Sequence, residues 1–247
     1  MKIKYIIATL IVIIIVIAGG ILAYDHFTGD LGIINKKVTS SFDNAFMSGT
    51  FMGTVNEAEV NNSDEGLDQW LANYKDEENN IEYNMSTCKN ASFLLEYLSL
   101  QGLSGPETRE YGGTEWNIYY SEGAPTTQNG SDGNTSNNAS NASSQNITYD
   151  IYICEANKDN QSYLIYIINP KTEGIVSPVE SDGSLYCELF TDYIQPLLEN
   201  TEFKHNDNVP EVYDLLGISE GEYTQLSDFI EKYKAGEVDA EGNTISN

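Results

Sequence analysis

The sequence predicts an α+β protein: an N-terminal transmembrane helix, then helices packed on a small antiparallel sheet, with a C-terminal helical segment. Three observations predict it. Residues 5–24 carry no charge and are mostly Ile, Val, Leu and Ala. Residues 114–120, 148–156 and 162–169 alternate in polarity or are continuously apolar, as β-strands are. Residues 219–236 combine a helix cap, an apolar stripe and a final glycine.

The first element is the apolar run of residues 5–24. About 20 residues, at 1.5 Å rise each, match a bilayer core of roughly 30 Å. The apolar part of a cleavable signal peptide is shorter, about 7–15 residues, so the run predicts an uncleaved signal anchor, with a cleaved signal peptide as the alternative. Lys2 and Lys4 lie in residues 1–4, which become a cytoplasmic tip. We therefore expect a single-pass cell-membrane protein with everything after residue 24 outside the cell.

The region after the span divides into a stalk and a domain. We expect residues 25–60 to form the stalk and residues 61–236 to form an α+β extracytoplasmic domain. A helix is expected over residues 62–77, because Ser63 can cap it and its apolar residues share one helical face. That face carries Leu67, Trp70, Leu71 and Tyr74.

A second helix is predicted over residues 86–102. Ser86 or Thr87 can cap it, Cys88 lies in its first turn, and Gly102 ends it. Its apolar stripe consists of Phe93, Leu94, Tyr97 and Leu98.

Three strands follow. Residues 148–156 and 162–169 are separated by a short polar turn and predict a hairpin, whose second strand is apolar on both faces and therefore central. One face of the earlier strand carries Trp116, Ile118 and Tyr120. Residues 121–147 contain almost no apolar side chain and predict a disordered, glycosylated loop inserted between strands.

The C-terminal part is predicted to be helical. Apolar residues recur at a 3–4 spacing between Tyr186 and Leu197, and a short helix ends at Gly217. Ser219 and Glu222 form a capping box at the start of the last helix. Residues 237–247 are expected to form a frayed tail.

Charge excludes some partners. With 38 acidic and 12 basic residues, the chain carries a formal net charge of −26. A surface this acidic repels phosphate backbones, so nucleic acid is not expected as a partner. The carboxylates lack the spacing of a Ca²⁺ loop, and Cys and His form no metal quartet. The sequence therefore predicts no metal and no cofactor.

Sequons and cysteines describe the predicted exterior. Nine N-x-[ST] triplets follow the span, and behind an export signal they indicate a surface glycoprotein. They begin at Asn61, Asn84, Asn90, Asn129, Asn134, Asn138, Asn141, Asn146 and Asn160. Three cysteines in an oxidising compartment favour one disulfide and one free thiol. The sequence leaves the pairing open; a Cys154–Cys187 bridge would leave Cys88 free.

A cysteine in the first turn of a helix can be reactive, because free N–H groups and the helix dipole stabilise the thiolate. The segment beginning at Cys88 resembles the nucleophile helix of the transglutaminase-like (papain-like cysteine enzyme) superfamily, in particular its archaeal members. The matching residues are Cys88, Ser92, Leu95, Glu96, Tyr97 and Gly102. The resemblance covers about residues 80–175, and it implies a helix carrying Cys packed on strands carrying His and Asp.

The resemblance does not extend to the catalytic base. Thr114 occupies the position of the family's His and Asn169 that of its Asp. Threonine cannot accept a proton at neutral pH, and a catalytic thiol needs a base. Of the two histidines, His26 lies beside the predicted membrane span, and His205 reaches Cys88 only if its loop folds over the helix.

The favoured function is therefore a membrane-anchored, non-catalytic transglutaminase-like domain that binds a partner or has a structural role at the cell surface. Cell-wall peptide or glycan is the expected partner, and aromatic side chains of the sheet are candidate contacts. These candidates are Trp116, Tyr119 and Tyr166, with a purely structural role in the sheet core as the alternative. Two other functions are a cysteine hydrolase or acyltransferase acting on cell-wall peptides through Cys88, and an acidic spacer or adhesin-like protein.

Overall fold

The computed structural model describes residues 38–60, 66–92, 95–96, 103–125, 147–239 and 244–245. The chain divides into two units, and the described residues lie almost entirely in the second, Ser40–Asn247. Ten strands of this part form two antiparallel sheets. They are β1 Thr39–Asp43, β2 Met47–Met52, β3 Val55–Ala58, β4 Leu71–Asp76, β5 Ile81–Cys88, β6 Ser104–Tyr111, β7 Thr114–Pro125, β8 Ile147–Lys158, β9 Gln161–Thr172 and β10 Glu202–Phe203.

The large sheet has the strand order β3-β4-β5-β9-β8-β7-β6, and the small sheet has the order β1-β2-β10. The predicted fold class, helices on a small antiparallel sheet behind a transmembrane helix, is therefore wrong: antiparallel sheet dominates the described chain. Its helical segments are short apart from the last. They are a 3₁₀ turn Asp68–Trp70, a π-helical turn Leu189–Ile194, α1 Gln195–Glu199, α2 Val212–Leu215 and α3 Glu220–Lys234. Within the predicted helix 86–102, the described residues Ala91, Ser92, Leu95 and Glu96 are helical as well.

The prediction of a single-pass membrane protein is also corrected. Within the described ranges no helix has the length and apolar character needed to cross a bilayer. The predicted span, residues 5–24, lies outside those ranges.

Two segments that we expected to be stalk and helix are strands. Residues 38–60 of the predicted stalk contain β1, β2 and β3, and Phe42 and Phe51 from them are buried in the core. The predicted helix over 62–77 is wrong because β4 occupies most of its second half. In β4 the buried residues alternate with half-buried ones, which is the period of a strand packed on one face.

The three predicted strands are confirmed as parts of β7, β8 and β9. The β8–β9 turn is made by Asp159 and Asn160, both with positive φ, as a two-residue hairpin requires. As predicted, β9 is central, with β5 on one side and β8 on the other. The predicted loop 121–147 overlaps the ends of β7 and β8, and its residues 126–146 lie outside the described chain.

The two faces of the large sheet have different environments. We call one the core face; its side chains pack with the small sheet and with the segment 189–198 in the main hydrophobic cluster. It carries Tyr83, Met85, Trp116, Ile118, Tyr152, Cys154, Tyr163, Ile165 and Ile167. We call the opposite face the site face, and it carries the alternate residues, among them Cys88, Tyr119, Ile153, Glu155 and Leu164.

The segment 203–212 wraps round one end of the sheet. Phe203 packs on Trp116 and Tyr163 on the core face, with ring centroids 5.5 and 4.4 Å away. Further along, Lys89 and Glu211 form a parallel bridge, and Val212 packs against Cys88 on the site face. Helices α2 and α3 are thereby brought to the site face.

The predicted C-terminal caps are confirmed. Ser219 and Glu222 form the capping box of α3, and Gly217 and Gly236 follow α2 and α3 with positive φ. Only Ile230 of α3 is buried, so this helix buries little apolar surface against the rest of the domain.

Candidate functional site

Cys88 is the last residue of β5 and not part of the first turn of a helix. Its predicted caps, Ser86 and Thr87, are strand residues as well. The Cys88 side chain is 0% exposed, and burial, followed by the nearby Glu155 and Glu211, raises the pKa of the thiol from 9.0 to about 12. This environment is the opposite of the electropositive, partly exposed one that activates a cysteine.

The structure does not bring the three family positions together. Cys88 pairs with Ser162 of β9, and Asn169 lies seven residues further along that strand, roughly 23 Å away at about 3.3 Å per residue. Asn169 also lies on the core face, where its amide donates to the carbonyl of Asn80. Thr114 begins β7, three strands from β5, or roughly 14 Å at about 4.8 Å per strand.

His205 does not serve as the base in this arrangement. Its Nε2 lies 3.1 Å from Asp207 Oδ1, and the ring is partly exposed. The next residue, Asn206, donates its backbone N–H to Gln161, whose side chain also contacts Thr87 on the core face. Asn206 thus contacts Gln161, which lies on the face opposite Cys88. His26 lies outside the described residues.

The three cysteines are free and buried, so the suggested Cys154–Cys187 bridge is not formed. Cys187 Sγ lies 3.2 Å from both the Tyr152 hydroxyl and the Ser184 carbonyl. Cys154 packs among apolar side chains, and burial raises the pKa of its thiol far above the ordinary value. Each thiol thus behaves as a small core residue.

We expect the Cys88 thiol to be inert in the native protein. With a pKa of about 12 in place of 9.0, its thiolate fraction at pH 8 is ~1000-fold lower than that of an ordinary thiol. Alkylation by iodoacetamide, followed by mass spectrometry of the Cys88 peptide, should therefore be at least ~1000-fold slower in native buffer than in guanidinium. Because the folded pKa is high, the native rate should keep rising with pH through 8–11. Rapid native labelling at pH 8 would contradict this burial.

The aromatic residues suggested as binding contacts lie mainly in the interior. Trp116 is 0% and Tyr119 is 3% exposed, so neither can present a ring to a ligand. Tyr166 is half-buried on the site face beside Leu95 and Tyr119. For Trp116 and Tyr119 the alternative role, packing in the protein interior, therefore applies.

The described site face carries a polar pocket at the end where β5, β8 and β9 meet. Its volume is about 500 Å³. We call it the Asn/Ser pocket, and it is lined by Asn90, Ser92, Asn157, Asn160, Ser162, Tyr223 and Ser227. The lining thus consists of carboxamides, hydroxyls and one phenol, without a charged side chain.

A buried carboxylate lies beneath this pocket. Glu155 of β8 is 0% exposed, and it accepts a hydrogen bond from Ser92 Oγ at 2.7 Å. Ser162 Oγ lies 3.4 Å from the same Glu155 oxygen, and Asn117 Nδ2 lies 3.4 Å from the other one. Hydrogen bonds are what make the burial of a carboxyl group tolerable. Glu155 therefore fixes the two serine hydroxyls from below.

Asn157 connects these two serines at the pocket surface. Its Oδ1 accepts from Ser162 Oγ at 2.6 Å, and its Nδ2 donates to Ser92 Oγ at 3.1 Å. On the other side, Tyr223 of α3 donates its hydroxyl to the carbonyl of Asn90 at 3.0 Å. The pocket wall is consequently a preorganised hydrogen-bonded surface.

Sequence reasoning missed this pocket although part of its signal was visible. The triplets starting at Asn90 and Asn160 predict sequons, which stays a prediction, and their serines, Ser92 and Ser162, lie against Glu155 in the structure. A glutamate inside the apolar stretch of residues 147–156 was the other signal, because a carboxylate is buried in a strand only where it has partners. Asn84 is half-buried within β5, and the other six sequons lie outside the described residues.

Metal binding has no support in the described part of the chain, where His, Cys, Asp and Glu form no group able to hold an ion.

Comparisons with known proteins identify no family. No protein-family model matches this sequence, and no curated protein matches it. One similar solved structure is a crystal structure from Bacteroides thetaiotaomicron VPI-5482, with a TM-score of 0.38 and 12% sequence identity. The alignment covers 86% of this chain and 65% of that one. A similarity this low assigns neither a fold family nor a function.

Proposed function

We propose that this domain is a non-catalytic binding module and that the Asn/Ser pocket is its binding site. One observation carries the proposal: a polar cavity of about 500 Å³ lies directly above a fully buried glutamate that orients its serines. Small-molecule pockets commonly have volumes in this range. Membership of the transglutaminase-like superfamily, without the catalytic chemistry of that superfamily, remains a proposal that rests on the sequence resemblance.

The cysteine hydrolase alternative is not favoured. Such an enzyme needs a thiol within hydrogen-bond reach of a base and open to substrate. Cys88 is sealed, and its thiol pKa is raised. A simple acidic spacer is less suitable as well, because a spacer gives no reason for a buried carboxylate under a preorganised cavity.

The binding function can be tested by filling the pocket. Ser227 lines it from α3, so Ser227→Trp should place an indole ring in the cavity. Saturation-transfer NMR against a library of small neutral, cationic and anionic compounds should reveal ligands of the native protein. We expect their apparent Kd to rise at least about tenfold, or 1.4 kcal/mol, in the variant.

Thr224→Trp is the matched control. Thr224 lies on the same helix, is exposed, and uses its hydroxyl only on the carbonyl of Glu220. It should bind the same compounds as the native protein, and both variants should keep the native circular dichroism spectrum. If no compound of any charge binds, or if Ser227→Trp binds as tightly as Thr224→Trp, the pocket is not a binding site.

A further inference from the structure

We infer that the Asn/Ser pocket selects an uncharged, polyhydroxylated ligand of the sugar class; this inference rests on the proposed binding function. It goes beyond the presence of a cavity because it follows from the direction of the hydrogen bonds in its wall and from the charges around it. The Asn157 carboxamide and the two serines determine the pattern of donors and acceptors that a ligand meets.

Each of the two serine hydroxyls already donates its one hydrogen to another group of the pocket wall or floor. Ser92 donates to Glu155 at 2.7 Å, and Ser162 donates to Asn157 Oδ1 at 2.6 Å, its shorter contact. Toward the cavity these hydroxyls are therefore acceptors. Asn157 uses one N–H on Ser92 and one lone pair of Oδ1 on Ser162, which leaves a second N–H and a second lone pair side by side.

Adjacent donors and acceptors of this kind match neighbouring hydroxyl groups. Each hydroxyl of a vicinal diol donates once and accepts up to twice. A diol can thus accept from Asn157 Nδ2 while donating to Asn157 Oδ1 or Ser92 Oγ. A carboxylate or phosphate offers only acceptors, and an ammonium offers only donors, so each would leave part of this wall without a partner.

Electrostatics also oppose anionic ligands. Glu155 lies beneath the pocket, Glu211 accepts from Asn90 at its rim, and the whole chain carries −26. Anions are therefore repelled. The negative field attracts a cation, but Glu155 itself is fully buried and already accepts from Ser92 and Asn117, and an ammonium would set a second donor against the Asn157 N–H.

The pocket also offers an apolar surface for the C–H face of a sugar ring. Tyr223 is half-buried, its hydroxyl is used on Asn90, and its ring packs against Tyr213 with centroids 5.7 Å apart. An aromatic ring fixed in this way has an apolar body and a polar tip. Hydroxyl-binding groups in a pocket that is also lined by an aromatic side chain suit a pyranose, which is polar at its edge and apolar on its face.

The experiment compares matched sugars that differ in a single charge. Glucose, galactose, mannose and N-acetylglucosamine are titrated into the ¹⁵N-labelled full-length protein, together with the corresponding uronic acids and amino sugars. We expect at least one neutral sugar to shift the amides around the pocket, with its charged counterparts binding at least about tenfold more weakly.

Two variants test the assigned residues. Asn157→Ala removes the double hydrogen-bonding position and should weaken binding of the neutral sugar about tenfold or more. Asn56→Ala, an exposed asparagine on the edge strand β3, should leave the affinity unchanged. If Asn157→Ala unfolds, Asn157→Asp, which keeps the acceptor for Ser162 and loses the N–H donors, supplies the test instead.

The outcomes separate the two proposals. If a uronic acid or an amino sugar binds as well as its neutral counterpart, or Asn157→Ala binds normally, the inferred ligand class is overturned and the binding function stands. Suppose that no sugar binds, but other library compounds bind the native protein and lose affinity in Ser227→Trp. In that case only the inferred ligand class is overturned. If nothing binds, both are overturned.

Discussion

Replacing Phe51 by alanine should lower the free energy of unfolding by about 3–5 kcal/mol, the usual cost of deleting a buried aromatic ring. Phe51 belongs to β2 of the small sheet and is 1% exposed. Its ring lies 4.7 Å from Tyr83 and 5.1 Å from Tyr74, both on the large sheet, measured between centroids. The substitution therefore opens a cavity between the two sheets, where the surrounding rings cannot collapse fully.

Urea unfolding followed by circular dichroism measures this loss. Phe51→Leu is the control, because it retains most of the buried volume and should lose clearly less than the alanine variant. Equal stability of Phe51→Ala and the native protein would mean that the small sheet does not pack on the large one. The same curves report whether the small sheet unfolds separately, since a two-state transition requires a single midpoint for all probes.

Replacing Lys171 by methionine should cost about 2–3 kcal/mol. Lys171 Nζ lies 2.7 Å from Asp150 Oδ2, and the Asp150 side chain is fully buried. Removing one partner of a buried pair leaves a charge without its counterion, at a cost of about 3–5 kcal/mol when both partners are sealed. The estimate is lower here because the lysine side chain is 27% exposed.

A double-mutant cycle separates this ion pair from ordinary packing. Asp150→Asn in the Lys171→Met background removes the uncompensated charge, so the double variant should lose less than the sum of the two single losses, by about 1–2 kcal/mol. Lys75→Met is the matched control, since its partners Glu77 and Glu82 are exposed, and it should change stability by about 0.5 kcal/mol or less. Additive losses in the cycle would show that the buried pair is not coupled.

The sequence predicted best where a local pattern and its neighbours agreed. The β8–β9 hairpin was predictable because two long apolar stretches flank a polar turn, and the fold kept both the strands and the turn. The capping box at Ser219 was predictable because its partners lie three residues apart. In both cases the atoms that stabilise the element are near each other in the sequence.

The region around residues 62–88 shows why the same reasoning failed elsewhere. Leu67, Trp70 and Tyr74 have helical spacing, but Tyr74 packs in β4 against Phe51 and pairs with Tyr83. Cys88 follows a polar stretch that can cap a helix, yet β5 continues through it because β9 pairs with it. Pairing with a distant strand outweighs a helix propensity of a few tenths of a kcal/mol per residue.

By itself, the sequence determined the acidity of the chain, the central hairpin and the caps of the last helix. These properties depend on composition or on residues close together in the chain. The tertiary structure alone decided that Cys88 is sealed and that Ser92, Glu155, Ser162 and Tyr223 meet around one cavity. Such a site depends on strand register and on the packing of α3, which are set by contacts between segments more than 60 residues apart.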